Sequence, residues 1–462
     1  MCEEISYKLD LDEIRTAFKF GENGGLTHKQ GGKYKLLPYA ANEKTLVSEF
    51  SGVVGAFSRM ICNKELKGEF NADQFIDEVS EQIGEYEGSS SKEVFKDIVR
   101  TMFIDGNNLV DFDIKTINYI SATSADEKIA KFLFSTLFDK SLSKEISSHY
   151  DREVDNVLYR LVLRALPELK DKEFSIGDYN CYLPFIRELF IKDLKFMLSN
   201  EELYKNSLKR FLEYYYMFYV SQLAMKLKNF EKADVTTPDK LYYTLSWEST
   251  SKNRTAYQFG WEKIKGSVNS LFSHAITLEL LNYHNLGRQL GYIELAEIFR
   301  QSDKCKVENE LLSVFDAYTN QIKDKPWSDF KEIARETEVN GFNYVYKLFD
   351  AIEYQFVKSS RTRAYEAYRN WFVRFVYDNF AKRRGQLGYN LNMTEDDIIL
   401  MTKICINDKG KMKLNTLFDE FELRGIFFDR DSKTKIVQLY EKLNLLEKKS
   451  DSGDAQYVRT VL

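Results

Sequence analysis

Between Glu201 and Glu231 the chain carries the stretch EYYYMFYVSQLAMKL. At helical spacing its apolar and aromatic side chains occupy so much of the circumference that no face is left for water. Such a helix has to be a buried central element, and the rest of the chain must supply neighbours that cover it. It is not a membrane span. Its uninterrupted apolar run, Tyr214 to Val220, sits between charged turns and is far shorter than the roughly 20 residues that cross a bilayer. The expectation is a mostly α, globular protein without a membrane segment.

The chain has 462 residues, which at about 150 per domain predicts about three domains. Its five prolines lie between periodic segments and divide the chain into intervals that read as helices. Four regions are expected: 1–90, helical with a glycine-rich loop; 91–240, a helical bundle; 241–390, a second helical region with a basic helix; and 391–462. Within the first, GENGGLTHKQGGKYK reads as a mobile loop or a lead-in to the first domain, and helices are expected over Glu43–Met60 and Asn71–Glu85. Further on, Val94, Ile98, Val99 and Met102, then Val154, Leu158, Leu161 and Val162, mark amphipathic faces. Polar residues over Glu231–Arg254 suggest an inter-domain boundary. Helical patterns follow over Gly266–Gln301, Glu308–Lys323, Ser328–Phe356 and Arg361–Arg384.

From Asn392 the pattern changes. Thr394 caps a helix over Glu395–Ile406, NDKGK forms a joint, and Leu414, Leu417, Phe418 and Phe421 mark a second helix closed by Gly425. A third helix is expected to start after Asp431 or Ser432 and run through Ile436, Leu439, Tyr440 and Leu443, and the end of the chain reads as a β-hairpin. Three helices and a hairpin are the order of a winged-helix domain, whose third helix can enter a DNA groove. Lys433, Lys435 and Lys442 on that helix, and Lys448, Lys449 and Arg459 on the wing, are candidate phosphate contacts. Against this, Leu391–Leu462 holds 12 basic and 13 acidic residues, net −1, and winged helices also dock proteins.

The whole chain is acidic, with 66 Lys+Arg against 71 Asp+Glu, so any nucleic-acid contact has to be a local patch. The densest basic segment is Lys358–Arg384, with eight basic and two acidic side chains, net +6. Tyr365, Tyr368, Phe372, Phe375 and Val376 fall on one helical face and read as core, which turns Arg363 and Arg374 outward. With Lys382, Arg383 and Arg384 they complete the candidate DNA-binding residues.

No catalytic constellation, metal or cofactor is expected. His28, His149, His274 and His284 show no paired ligand spacing. The segment ending Gly31, Gly32, Lys33 and Tyr34 misses the phosphate-loop pattern, with Thr27 at its first glycine and Tyr34 at its final hydroxyl position. Asp111 and Asp113 in LVDFDIK could place two carboxylates on one face of a short strand and hold a divalent ion, a low-weight nuclease reading. Five scattered cysteines predict reduced thiols, and the opening MCEEISYKLDLDE lacks the apolar core of a secretory signal, so a cytoplasmic location is expected.

KLLPYAANEK, GVVGAFSR, FELRGIFFD and KLNLLEKKSDSGDAQYV together resemble the G subunits of phosphorothioation-dependent DNA restriction systems (DptG, also DndG). The similarity is spread from Lys35 to Val458. It implies a bacterial defence protein acting with an ATPase-like F subunit and a helicase- or translocase-like H subunit on DNA that lacks the backbone sulfur. It transfers no catalytic residue. Two functions follow as expectations: a non-catalytic subunit contacting DNA, or a pure protein scaffold without DNA contact.

Overall fold

A computed structural model describes residues 6–460 apart from 39–48, 69, 89, 107, 144–145, 147–149, 151–153, 358–360 and 449–455. The fold is mostly helical, 59% helix and 8% strand. The helices are α1 Leu11–Ala17, α2 Ser51–Ile61, α3 Ala72–Glu81, α4 Ser91–Phe103, α5 Ser124–Leu137, α6 Val157–Arg164, α7 Pro184–Ser199, α8 Glu201–Leu227, α9 Thr255–Gln258, α10 Trp261–Asn269, α11 Leu271–Leu281, α12 Tyr292–Arg300, α13 Lys304–Gln321, α14 Phe342–Val357, α15 Thr362–Asn379, α16 Glu395–Ile406, α17 Leu414–Leu423 and α18 Arg430–Lys442. Ten short strands accompany them: β1 Lys64–Glu65, β2 Ile104–Asp105, β3 Asn108–Leu109, β4 Lys170–Asp171, β5 Thr244–Leu245, β6 Ala381–Arg383, β7 Tyr389–Met393, β8 Lys411–Lys413, β9 Leu446–Lys448 and β10 Gln456–Arg459. Among the described residues no helix is long and apolar enough to cross a membrane.

The central helix is α8. Asn200 caps it by accepting the Leu203 N–H, and Glu201 and Glu202 sit in the first turn, where the dipole favours them. Every residue from Phe211 to Leu227 is buried, under α2, α7, α10 and α15. The tyrosines among them place hydroxyls as well as rings. Tyr215 donates to Asp193 at 2.6 Å, Tyr219 accepts the Tyr182 N–H at 2.9 Å, and Tyr214 donates to the Arg424 carbonyl. Phe218 between them only fills space, so the choice of Tyr or Phe follows where a buried hydroxyl finds a partner. One contiguous apolar core runs from Tyr7 to Val458 and draws on all four sequence regions.

A second, smaller core joins α3, α4 and α6 through Phe75, Val79, Val99, Phe103 and Val162. Here the expected α4 face is corrected. Val99 and Phe103 are inside, while Val94, Ile98 and Met102 are 55%, 46% and 49% exposed. The apolar arc of α4 is wider than the surface that α3 and α6 can cover.

The glycine-rich loop is likewise not free. The N–H groups of Gly32, Lys33 and Tyr34 converge on the carboxylate of fully buried Glu279 at 2.9–3.1 Å, and the Tyr283 hydroxyl is a fourth donor. A Cβ on Gly32 would stand 2.7 Å from Glu279 Oε1, so a side chain does not fit there. The loop cradles an anion after all, but the anion is the protein's own. Glu279→Leu strands three backbone donors and is expected to cost about 2–3 kcal/mol in urea unfolding; an unchanged midpoint would refute the pinning role.

Two further expectations change. The Glu231–Arg254 segment is built into the body: Leu241, Tyr243 and Leu245 are buried, β5 pairs in parallel with β7, and Tyr243 N–H bonds the Phe427 carbonyl. The basic helix ends at Asn379, and Lys382 and Arg383 lie on β6, antiparallel to β7, with Arg384 just beyond. Gly385 and Gly388, both at positive φ, let the chain turn back into a hairpin there. On α15 itself the expected inner face holds, with Tyr365, Tyr368, Phe372, Phe375 and Val376 all buried.

The C-terminal unit runs α16, β8, α17, α18, β9, β10. Thr394 and Asp397 form a reciprocal capping box on α16, and Gly425, at φ +76°, closes α17. Helix α18 begins at Arg430, slightly earlier than expected, because Asp429 caps it through the Ser432 N–H. The joint after α16 runs into β8, which completes an antiparallel sheet of order β8-β10-β9. Lys449 lies outside the described residues.

Candidate nucleic-acid interface

Three arginine–carboxylate pairs fix the C-terminal unit to the helical body. Arg424 and Asp193, both without solvent exposure, meet through two bonds of 2.7 and 2.6 Å. Arg210 on α8 holds Asp397 at the start of α16 at 2.6 and 2.9 Å. Arg254 bonds Asp429, the cap of α18, and Glu248 accepts the Ser432 hydroxyl at 2.9 Å. Burial works against the charge on Asp429, but bonds from Arg254 and from the N–H groups of Ser432 and Ala256 hold its carboxyl below the usual range. The start of α18 is therefore set rigidly against the 241–259 segment.

Seen from that frame, α18 buries Ser432, Ile436, Leu439 and Tyr440 and turns Arg430, Thr434, Lys435, Gln438 and Lys442 to solvent. An open groove of about 550 Å³ lies beside its first turns, lined by Tyr242, Thr255, Phe428, Arg430, Lys433 and Val437. Arg430 and Tyr242 were not among the residues singled out in the sequence. The signal for Arg430 was available, since recognising Asp429 as the cap puts Arg430 in the first turn. Tyr242 had none, because its place depends on a strand pairing far along the chain.

The candidate cations divide by what they touch. Lys433 pairs with Glu422 at 2.9 Å, Lys448 with Glu441 at 3.0 Å, Arg459 with Glu447 at 3.2 Å and Arg374 with Asp378 at 2.8 Å. Lys435 reaches Gln438 at 3.2 Å. Lys382 and Arg384 bond the backbone carbonyls of Ser246 and Leu245. Arg363, Arg383 and Lys442 are exposed and form no ion pair among the described residues. Arg384 bonds the Leu245 carbonyl, and Glu248, three residues on, accepts the hydroxyl of Ser432 on α18. Lys448 lies near the other end of α18, on Glu441, while Arg363 and Arg374 stand apart on α15.

The two-carboxylate nuclease arrangement does not form. Asp111 and Asp113 are not on a strand; Asp111 is exposed, and buried Asp113 caps a short 3-10 turn by accepting the Lys115 N–H. Among the described residues no group of three His, Cys, Asp or Glu side chains is placed to hold a metal. His274 is buried against Phe349 and Tyr292, and His28 bonds Tyr318; both serve packing. Compared with protein-family models and with curated proteins, the sequence matches none.

Proposed function

We propose that this chain is a non-catalytic subunit of a phosphorothioation-dependent restriction complex, and that it meets DNA through α18 while docking the F and H subunits with its helical body. The resemblance of its sequence segments motivates the complex. The observation that carries DNA contact is the element order α16-β8-α17-α18-β9-β10, that of a winged helix, with Arg430, Thr434, Lys435, Gln438 and Lys442 on the outward side of its third helix. Cations there suit phosphates, and Thr and Gln suit base edges. Replacing Arg430, Lys435 and Lys442 together by Gln removes three counterion-releasing contacts. Anisotropy titrations of a labelled duplex are expected to show the slope of log affinity on log salt reduced by about two to three. An unchanged slope would leave α18 without a DNA role.

A scaffold without DNA contact is the second reading, favoured by the ion pairs that occupy Lys433, Lys448 and Arg459. These pairs are partly or largely exposed, however, and such pairs are worth at most about 1 kcal/mol. They yield easily to a phosphate.

A further inference from the structure

Side chains on a strand alternate between its two faces. On β7, Leu391 and Met393 enter the core, so Asn390 and Asn392 project from the opposite face. Lys382 is the cross-strand partner of Asn390, and Arg384 follows just beyond the end of the strand. Both cations reach across β7 to its far side, Lys382 Nζ to the Ser246 carbonyl at 2.8 Å and Arg384 Nη2 to the Leu245 carbonyl at 2.7 Å. On the face they cross, Asn390 is only 2% exposed, and its Nδ2 has no hydrogen-bond partner. Arg384 Nε and Asn392 Oδ1 are also buried and unpartnered.

A buried donor left unmet costs about 1–3 kcal/mol, and native structures rarely leave several together. These lie on a strand pair rich in positive charge. From Asn379 to Thr394 the chain carries Lys382, Arg383 and Arg384 and no carboxylate side chain. Among the described residues none of the three cations forms an ion pair. The acidic group within range, Glu248, already accepts bonds from the Leu245 N–H and the Ser432 hydroxyl. We propose that this face is a phosphate-binding site, with Arg384 Nε and Asn390 Nδ2 as donors and Lys382 as counter-charge. Charge-assisted bonds to phosphate are roughly twice as strong as bonds between neutral groups, so an arriving phosphate draws Lys382 and Arg384 off the two carbonyls. A half-turn of the Asn392 amide offers a further donor. The ligand is a phosphate group, free or in a nucleic-acid backbone, and the site stands whether or not α18 meets DNA.

The test uses the full-length chain, inorganic phosphate in calorimetry against chloride at matched ionic strength, and a labelled duplex in anisotropy. Saturable phosphate binding is expected, weakened at least tenfold in Asn390→Asp, which replaces a donor by a charged acceptor. If that variant fails to fold, the exposed Lys382→Gln serves instead and is expected to weaken phosphate binding at least tenfold and to lower the duplex salt slope by about one. Competition between phosphate and duplex assigns the site to the nucleic-acid backbone; phosphate binding indifferent to duplex assigns it to free phosphate. Heats equal to those of chloride, or an affinity that none of these substitutions changes, overturn the proposal. Duplex binding with an unaltered slope and no phosphate binding overturns this site while leaving the α18 reading in place.

Discussion

Asp193→Ala is expected to destabilise the protein by about 3–5 kcal/mol, because it leaves the guanidinium of Arg424 charged and buried with its principal partner gone. Nothing nearby compensates fully. Glu420 holds Nη1 of Arg424 at 2.7 Å, but Nε and Nη2 point at Asp193 alone. Tyr215 also loses the acceptor of its hydroxyl. The effect should fall first on the C-terminal unit, since Gly425, next to Arg424, sits so tightly on Phe218 that a Cβ there would clash. The pair Asp193→Leu with Arg424→Met removes both charges and should recover most of the loss, as replacing buried ion pairs by apolar residues often does. Urea unfolding of the single and double variants measures this. A single substitution costing under about 1 kcal/mol would mean that the pair is not what fixes the unit.

Acid is expected to destabilise the fold steeply well above the pH at which most carboxylates protonate. Burial, with Arg335 and Lys228 nearby, holds the His274 imidazole down to about 3. In the unfolded chain it titrates near 6.5. The folded value is depressed, so the stabilisation is fully present above about pH 6.5 and is lost as pH falls toward 3. At about 1.4 kcal/mol per unit this amounts to about 4–5 kcal/mol at the lower end. His28, lowered to about 3 by burial and Arg361, adds a smaller share because it is partly exposed. His274→Phe keeps an aromatic ring beside Phe230 and Phe349 and removes the proton site. Its stability should decline less between pH 6 and 3 than that of the parent, and parallel decline in the two proteins would sink the assignment.

The parts of this fold that were legible from sequence are those decided within a few residues. Helix α8 was evident because its apolar residues surround the axis, and α16 because Thr394 and Asp397 cap it locally. The three C-terminal helices followed from the same kind of signal, whereas β8, read only as part of a joint, did not. What escaped depended on partners far apart in the chain. The glycine-rich loop reads as mobile until Glu279 is placed in it, and nothing local to Arg424 points to Asp193, more than two hundred residues away. Periodicity showed that α4 has an apolar arc but not how much of it α3 and α6 would cover, which is why Val94, Ile98 and Met102 were misplaced. The β6 cations were misassigned to a helix because the turn at Gly385 and Gly388 needs β7 as a partner strand.

For the candidate interface the division is similar. The third helix of the C-terminal unit could be found in the sequence, with Lys435 and Lys442 outward. The ion pairs that separate Lys433, Lys448 and Arg459 from the unpaired cations could not. The central claim is that the chain meets DNA directly through this unit. The measurement that tests it most directly titrates the purified full-length chain into a labelled duplex at about 50 mM salt, and again as salt rises toward about 200 mM. The account expects saturable binding at low salt that falls by orders of magnitude across that range. A chain that leaves the duplex unbound at about 50 mM salt would contradict it.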